Sequence, residues 1–437
     1  MEVYVGRQPI LDRGWNIAGY ELLFRSSHAN FRDSTDDVSA TSQVIANAVL
    51  GFGLDRLLGD KPAFINFDRT LLLGDWTTVL PPEKVIIEIL EGVQPDPQVL
   101  AACEALREQG YALAFSPSGD NEQAAEFAPF LDILRVDFQK TTPADQEALV
   151  RRYGKLSIRM IAGKVETEAE FVRASQLGYN YFQGFFFASP VVLQTSRVPA
   201  SKAGGLRLVR LIDHDEMDFD SVEEVIRFDI AFSHSLLTYV NSAAFQWPAR
   251  VESVRQGLLL LGSDGVRKWA WMASLSSLGE NRPPVLMAQV LMRGRFCEVI
   301  SRLMTLPAGD ADPFLIGMFS LLDAILQRPI EGIMDEMNIG PHIRLALLGA
   351  PGVDNPLALV LKIVKAYELG DFAQVDAVAQ AIGMSPSELS TGYLECLSWV
   401  ETVFSPEEKR WRAAQPSGLI GFHRDQTART FHTALTA

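Results

Sequence analysis

Cysteine is scarce in this 437-residue chain: Cys103, Cys297 and Cys396 are odd in number and far apart. That excludes a disulfide framework, and the spacing fits no zinc site, so buried thiols in a reducing compartment are expected. A surplus of basic charge is also missing. With 39 Lys and Arg against 54 Asp and Glu, the formal charge is -15. Such a balance opposes a phosphate backbone, because counterion release needs clustered cations. No nucleic-acid polymer is expected as a partner. Long apolar runs are absent too. The longest candidate, Pro313 to Leu326, is broken by Asp323 and is too short for a bilayer. The opening MEVYVGRQPILD has no basic leader, so no membrane insertion and a cytoplasmic location are expected.

Apolar residues make up 48% of the chain and charged ones 21%, a globular balance that argues against extensive disorder. The length suits two domains of roughly 200 residues each. In the first half, short β-rich runs alternate with amphipathic stretches. Strands are expected at Ile17–Phe24, Ala63–Asn66, Val85–Leu90, Ala112–Phe115, Ile133–Val136, Ser157–Ile161 and Tyr181–Phe186, with Val3–Val5 as a leading candidate. That number favours a closed barrel, with an open doubly wound sheet as the alternative. The texture changes at 198–205, where PASKAGG supplies proline, small residues and glycine. The expected division is therefore 1–198, a linker at 199–205, and a helical domain at 206–437 with a C-terminal extension. Apolar residues then recur at helix spacing from Leu206 onward, in stretches that include Val254–Leu261, Gly265–Leu278, Phe314–Gln327, Pro356–Leu369 and Phe372–Ala381, and Pro143–Tyr153 is among the helix-like stretches between the strands of the first half. The polar stretch Gln415–Ala437 reads as a loosely held tail.

The strings GRQPILD, GYELLFR, FINFD, IIEILE, LRVDF, KVET and YFQGFFFASP, in that order over residues 6–190, resemble EAL-domain cyclic di-GMP phosphodiesterases. With the helical half, the chain is similar to the standalone EAL-HDOD proteins of bacteria. The resemblance implies a TIM-like (β/α) barrel of the EAL type followed by an all-α, HD-related HDOD domain. Enzymes of that kind hydrolyse a phosphodiester with two divalent cations held at strand ends. By resemblance the metal ligands fall on Glu21, Asn66 and Glu88, a further site position on Gln183, and a supporting glutamate on Glu166. Gln8 and Arg25 match nucleotide contacts, and Asn66, Gln183 and Arg135 are further candidates for holding the ligand. Asn66 and Glu88 have a plainer reading as groups that satisfy buried backbone at strand ends.

Several positions depart from the pattern. The DDFG-type aspartates become Ser116 and Pro117, and the lysine of the KID-type string becomes Arg135. The EGVE-type glutamate, the general base, becomes Gly163, which cannot take a proton. In the helical half the carrying strings are FDIAFSHSLLTYVNSAAF, VESVRQGLLLLGSDGVRKWAWM, FLIGMFSLLDAIL and LALLGAPG, and the His-Asp position falls on Ser320 and Leu321. No metal or other cofactor is therefore expected, and the chain reads as a degenerate site and not an enzyme. His214-Asp215 is expected in a solvated loop, with Asp220 or Ser221 capping the next helix. His234 is expected as a hydrogen-bonded core histidine, and Trp247, Trp269 and Trp271 as core more than interface. The leading expectation is an inactive signal-transduction protein acting through an unidentified protein partner. Cyclic di-GMP, bound without cleavage, and a second copy of the chain are the other candidate partners. Residual hydrolysis with an unusual metal set is the third reading.

Overall fold

The parallel strands are apolar on both faces, which suits a sheet covered inside and out. In the computed structural model, residues 3–26, 54–74, 80–117, 119, 122–186, 203–212, 217–242, 244–245, 247–278, 282–304, 312–336, 339, 341–349 and 355–403 are described. The strands are β1 (Val3–Asp12), β2 (Ile17–Ser26), β3 (Ala63–Phe67), β4 (Val85–Ile89), β5 (Ala112–Phe115), β6 (Ile133–Asp137), β7 (Arg159–Gly163) and β8 (Tyr181–Gln183). They follow one another in chain order around a closed barrel, as expected. β2 to β8 run parallel, whereas β1 is antiparallel to both β2 and β8. The leading strand is also longer than the expected Val3–Val5, because its partner β2 is ten residues long and pairs with almost all of it.

Helices α1 (Leu54–Leu58), α2 (Arg69–Leu73), α3 (Pro97–Glu108), α4 (Glu122–Phe127), α5 (Pro143–Tyr153) and α6 (Glu168–Leu177) lie between strands. Their starts are written locally. Asp96 accepts from the amides of Gln98 and Val99 with Pro97 at the first turn, and Thr142 and Thr167 form capping boxes with Asp145 and Glu170. Ile10, Phe64, Ile86, Ala112, Ala114, Ile133 and Ile161 pack together as the apolar filling of the barrel. Strand side chains alternate faces, so the inward positions beyond this filling, which form the mouth, fall two or four residues further along the parallel strands and two residues before Ile10 on the antiparallel β1.

The helical half runs through α7 (Ala203–Ile212), α8 (Phe219–Phe228), α9 (Ile230–Val240), α10 (Val254–Leu278), α11 (Pro284–Leu303), α12 (Pro313–Phe319), α13 (Leu322–Leu326), α14 (Ile330–Glu336), α15 (Pro341–Leu348), α16 (Pro356–Leu369), α17 (Phe372–Ala381) and α18 (Pro386–Val403). Residues 203–205, expected as linker, are already helical. The cap of α8 is Asp218, whose side chain accepts from the Asp220 amide, in place of Asp220 or Ser221, because the helix begins earlier, at Phe219. His234 is exposed, against expectation. It lies two residues from both Phe232 and Leu236, which are buried, and that spacing is about 200° around the helix. Trp269 and Trp271 are buried, while Trp247 is half-buried and donates to the Val240 carbonyl at 2.9 Å. His214-Asp215 and the tail from Gln415 lie outside the described residues. Among the described residues no helix is long and apolar enough to cross a membrane.

The two halves share one apolar core. Tyr4 stacks on Phe372 with ring centroids 5.2 Å apart and donates to Asp376 Oδ1 at 2.6 Å. The Val5 carbonyl accepts from the Tyr367 hydroxyl at 2.7 Å, and the Val5 amide donates to Ser390 Oγ at 3.3 Å. Backbone approach is close here. A Cβ on Gly370, which has φ +70°, would stand 2.6 Å from Leu23 Cδ1, and one on Gly6 would stand 3.3 Å from Phe372.

Candidate functional site: the barrel mouth

All eight strands deliver the mouth. Gln8 of β1 faces Glu21 of β2 in the ladder, and Asn66 of β3 faces Glu88 of β4. Ser116 follows β5, Arg135 lies on β6, and Gly163 and Gln183 close β7 and β8. Residues spread from 8 to 183 are thereby brought into one cluster.

Arg135 stands at its centre. Its Nη1 donates to Glu88 Oε2 at 2.5 Å, and its Nη2 donates to Glu21 Oε2 and to Gln183 Oε1. Glu21 Oε1 accepts from Asn66 Nδ2 at 3.0 Å, Glu21 Oε2 accepts also from Gln183 Nε2 at 2.7 Å, and Glu88 Oε1 accepts from Ser116 Oγ at 2.5 Å. Gln183 Nε2 also donates to Gln8 Oε1 at 2.8 Å. Each of the four carboxylate oxygens thus has a protein donor.

The charges follow from this wiring. Burial by itself would raise the Glu21 carboxyl, but the Arg135 charge and the hydrogen bonds from Arg135, Gln183 and Asn66 hold it below the usual carboxylate range. Glu88 goes the other way. Burial pushes it up, and Glu21 adds to that push against the pull of Arg135. The guanidinium, which burial opposes, is kept charged by both carboxylates. Arg135 was expected to offer positive charge to a ligand, but its donors are directed at Glu21, Glu88 and Gln183.

Pro117 is buried beside the mouth and Glu166 is exposed in the loop after β7. Arg25 pairs with Tyr4 along β2, and its side chain lies outside the described residues. In the helical half, Ser320 Oγ accepts from Arg293 Nη1 at 2.9 Å and donates to the Gly317 carbonyl at 2.7 Å, and Leu321 is buried. Arg293 in turn grips Glu368 through Nε and Nη2. Sequence reasoning missed three features: Ser116 as a donor to Glu88, Arg293 with Glu368, and the Tyr4, Tyr367 and Phe372 junction. A Ser-for-Asp exchange beside a retained glutamate was the one local sign of the first.

The family model for the HDOD domain matches residues 199–324. Protein YuxH of Bacillus subtilis is 30% identical over 411 residues, covering 92% of this chain and 99% of its own. The cyclic di-GMP phosphodiesterase CdgJ of Vibrio cholerae is 31% identical over 405 residues, covering 92% of this chain and 93% of its own. The chain belongs to the EAL-HDOD family. Among solved structures, an EAL-domain protein from Listeria monocytogenes overlays 43% of this EAL-HDOD chain and 87% of its own, with 19% identity and a TM-score of 0.34.

The Vibrio relative corrects one expectation. A chain this similar over nearly its full length is named as a phosphodiesterase, so reading the EAL-HDOD chain as not an enzyme is overturned. That reading rested on the number of acidic groups the mouth keeps, Glu21 and Glu88, beside the neutral Ser116, Pro117 and Gly163. The mouth as it stands does not fit a pair of divalent cations, since its carboxylate oxygens already serve protein donors. Among the described residues no group of three or more His, Cys, Asp or Glu side chains could hold a metal ion.

Proposed function

We propose that this protein is a cyclic di-GMP signalling protein in which the barrel mouth takes the dinucleotide and the corner between α16 and α17 passes its occupancy to the helical half and on to a protein partner. The observation that carries the reading is the β1–β2 ribbon. Gln8 and Glu21 face each other at the mouth, and Gly6 and Leu23 face each other one side-chain repeat along the same strands. Gly6 is packed by Phe372, and Leu23 by Gly370. Alternation puts these pairs on one face of the ribbon, roughly 7 Å apart along it. A ligand that moves Gln8 or Glu21 therefore pushes on the strand segment that the helices grip.

The amides of Gln8, Asn66 and Gln183 are the groups suited to hydrogen-bond a nucleotide, and the activity named for the Vibrio relative supports cyclic di-GMP as the ligand. A shift of the helical half requires different affinity of the ligand for two arrangements. Calorimetry of the full chain with cyclic di-GMP, with and without Mg²⁺, should give binding heat that Gln8→Ala weakens. Hydrogen exchange should change at residues 366–376 as the mouth fills, and chromatography for the linear dinucleotide reads hydrolysis directly. Absence of heat at high protein concentration would sink the proposal.

A further inference from the structure

We infer that Arg135 is the resident cation of the barrel mouth, seated where a divalent ion would otherwise be held, and that Gly163 is the residue that lets it sit there. The inference is independent of whether the mouth binds a dinucleotide.

The guanidinium engages an oxygen of each buried carboxylate, from Glu21 on β2 and Glu88 on β4, and the remaining two oxygens accept from Asn66 and Ser116. Both carboxylates are buried, with Glu21 7% and Glu88 2% exposed. Buried carboxylates need a counter-charge and filled hydrogen-bonding capacity, and a planar five-donor guanidinium supplies both from one side chain. A compact dication would need the same oxygens, so metal and guanidinium are mutually exclusive occupants.

Room for the guanidinium comes from β7. A Cβ built on Gly163 would lie 3.3 Å from Arg135 Nε, 3.5 Å from its Cγ and 3.5 Å from the Val136 carbonyl oxygen. Those contacts are tight at the first side-chain atom. A longer side chain at 163 would have to pass the stem of Arg135. Gly163 does not have the left-handed φ that would reserve the position for glycine, so backbone conformation does not explain it. Arginine at 135, glycine at 163 and serine at 116 therefore act as one exchange: the cation is built in, its seat is cleared, and the spare oxygen of Glu88 is given a neutral donor.

The test is Mn²⁺ binding to the full chain, read by electron paramagnetic resonance of the free ion and by thermal unfolding with Mn²⁺ or with EDTA. Arg135→Ala should unfold at lower temperature in EDTA, regain much of that loss with Mn²⁺, and bind the ion on the order of 100-fold more tightly than wild type, because displacing a buried partner charge is no longer required. Arg135→Ala/Glu21→Gln should lose that gain. Equal Mn²⁺ affinity in wild type and Arg135→Ala, whether strong or undetectable, overturns the inference. If Arg135→Ala does not fold, Gly163→Ala keeps every charge and decides the matter. It should lower the unfolding temperature by a few degrees and raise Mn²⁺ affinity by loosening the guanidinium, and a Gly163→Ala protein as stable as wild type and unchanged in affinity overturns the inference equally.

Discussion

Neutralising Glu368 should cost the helical half about 3–5 kcal/mol, the range for stripping one partner from a buried ion pair. The structure places this pair at that end of the scale. Arg293 Nε lies 3.1 and 3.0 Å from the two Glu368 oxygens, and Nη2 lies 2.6 Å from Oε2. The two side chains are 6% and 7% exposed, so water cannot replace the lost carboxylate. Glu368→Gln keeps the volume, which separates charge from packing. Lys365 lies in the same neighbourhood, its ammonium driven down by burial and then by Arg293, so loss of the anion leaves two cations facing each other with Asp323 as the remaining counterweight. Urea unfolding of the full chain followed by tryptophan emission reads the effect, since Trp269 and Trp271 are buried in this half. The paired exchange Arg293→Met/Glu368→Leu should come back to within about 1 kcal/mol of wild type, because both desolvation costs disappear together. A loss below about 1 kcal/mol for Glu368→Gln, the size seen for exposed pairs, would refute the reasoning.

Tyr367→Phe should cost about 1–3 kcal/mol, because the buried Val5 carbonyl loses its donor at 2.7 Å. Denaturant midpoints of the full chain check this, and an unchanged midpoint would count against a specific junction between the halves. None of Cys103, Cys297 and Cys396 should react with a thiol reagent in the native chain, and all three should react in denaturant. Burial pushes the Cys103 thiol up to about 12 and those of Cys297 and Cys396 higher still. Glu298 should lend stability that acid removes. Burial would raise its carboxyl, but Lys268 and Arg295, each at 2.5 Å, hold it below the usual range. A depressed folded-state value contributes above the unfolded value of about 4.3 and is lost as the pH falls below it. The stability gap between wild type and Glu298→Gln should therefore narrow from about pH 5 to about pH 3, and a gap that stays constant would show that the ion pairs are idle.

The strands and helices were largely legible because hydrophobic period and capping residues are local. Pro143–Tyr153, Pro356–Leu369 and Phe372–Ala381 begin and end where the pattern and the flanking Thr142, Asn355 and Asp371 place them. Elements with weak local signals were harder to place. The expected helix over Phe314–Gln327 is broken at Ser320 and Leu321, where Ser320 is tied to Arg293. The helices expected at Val254–Leu261 and Gly265–Leu278 run together across a kink at Gly262, whose φ is 66°.

For the site, the sequence singled out Asn66, Glu88, Arg135 and Gln183 through the strings that resemble the EAL family, and a period of two holds each to one face of its strand. It did not determine what they do to one another. Arg135 finds Glu21 and Glu88 across separations of 114 and 47 residues, and Tyr367 finds Val5 across 362. Only barrel closure and the packing of α16 and α17 on β1 decided that the cation is a guanidinium and that the mouth lies one repeat from the helical half. Local pattern encodes direction along a strand, whereas pairing partners and free volume depend on how distant segments meet.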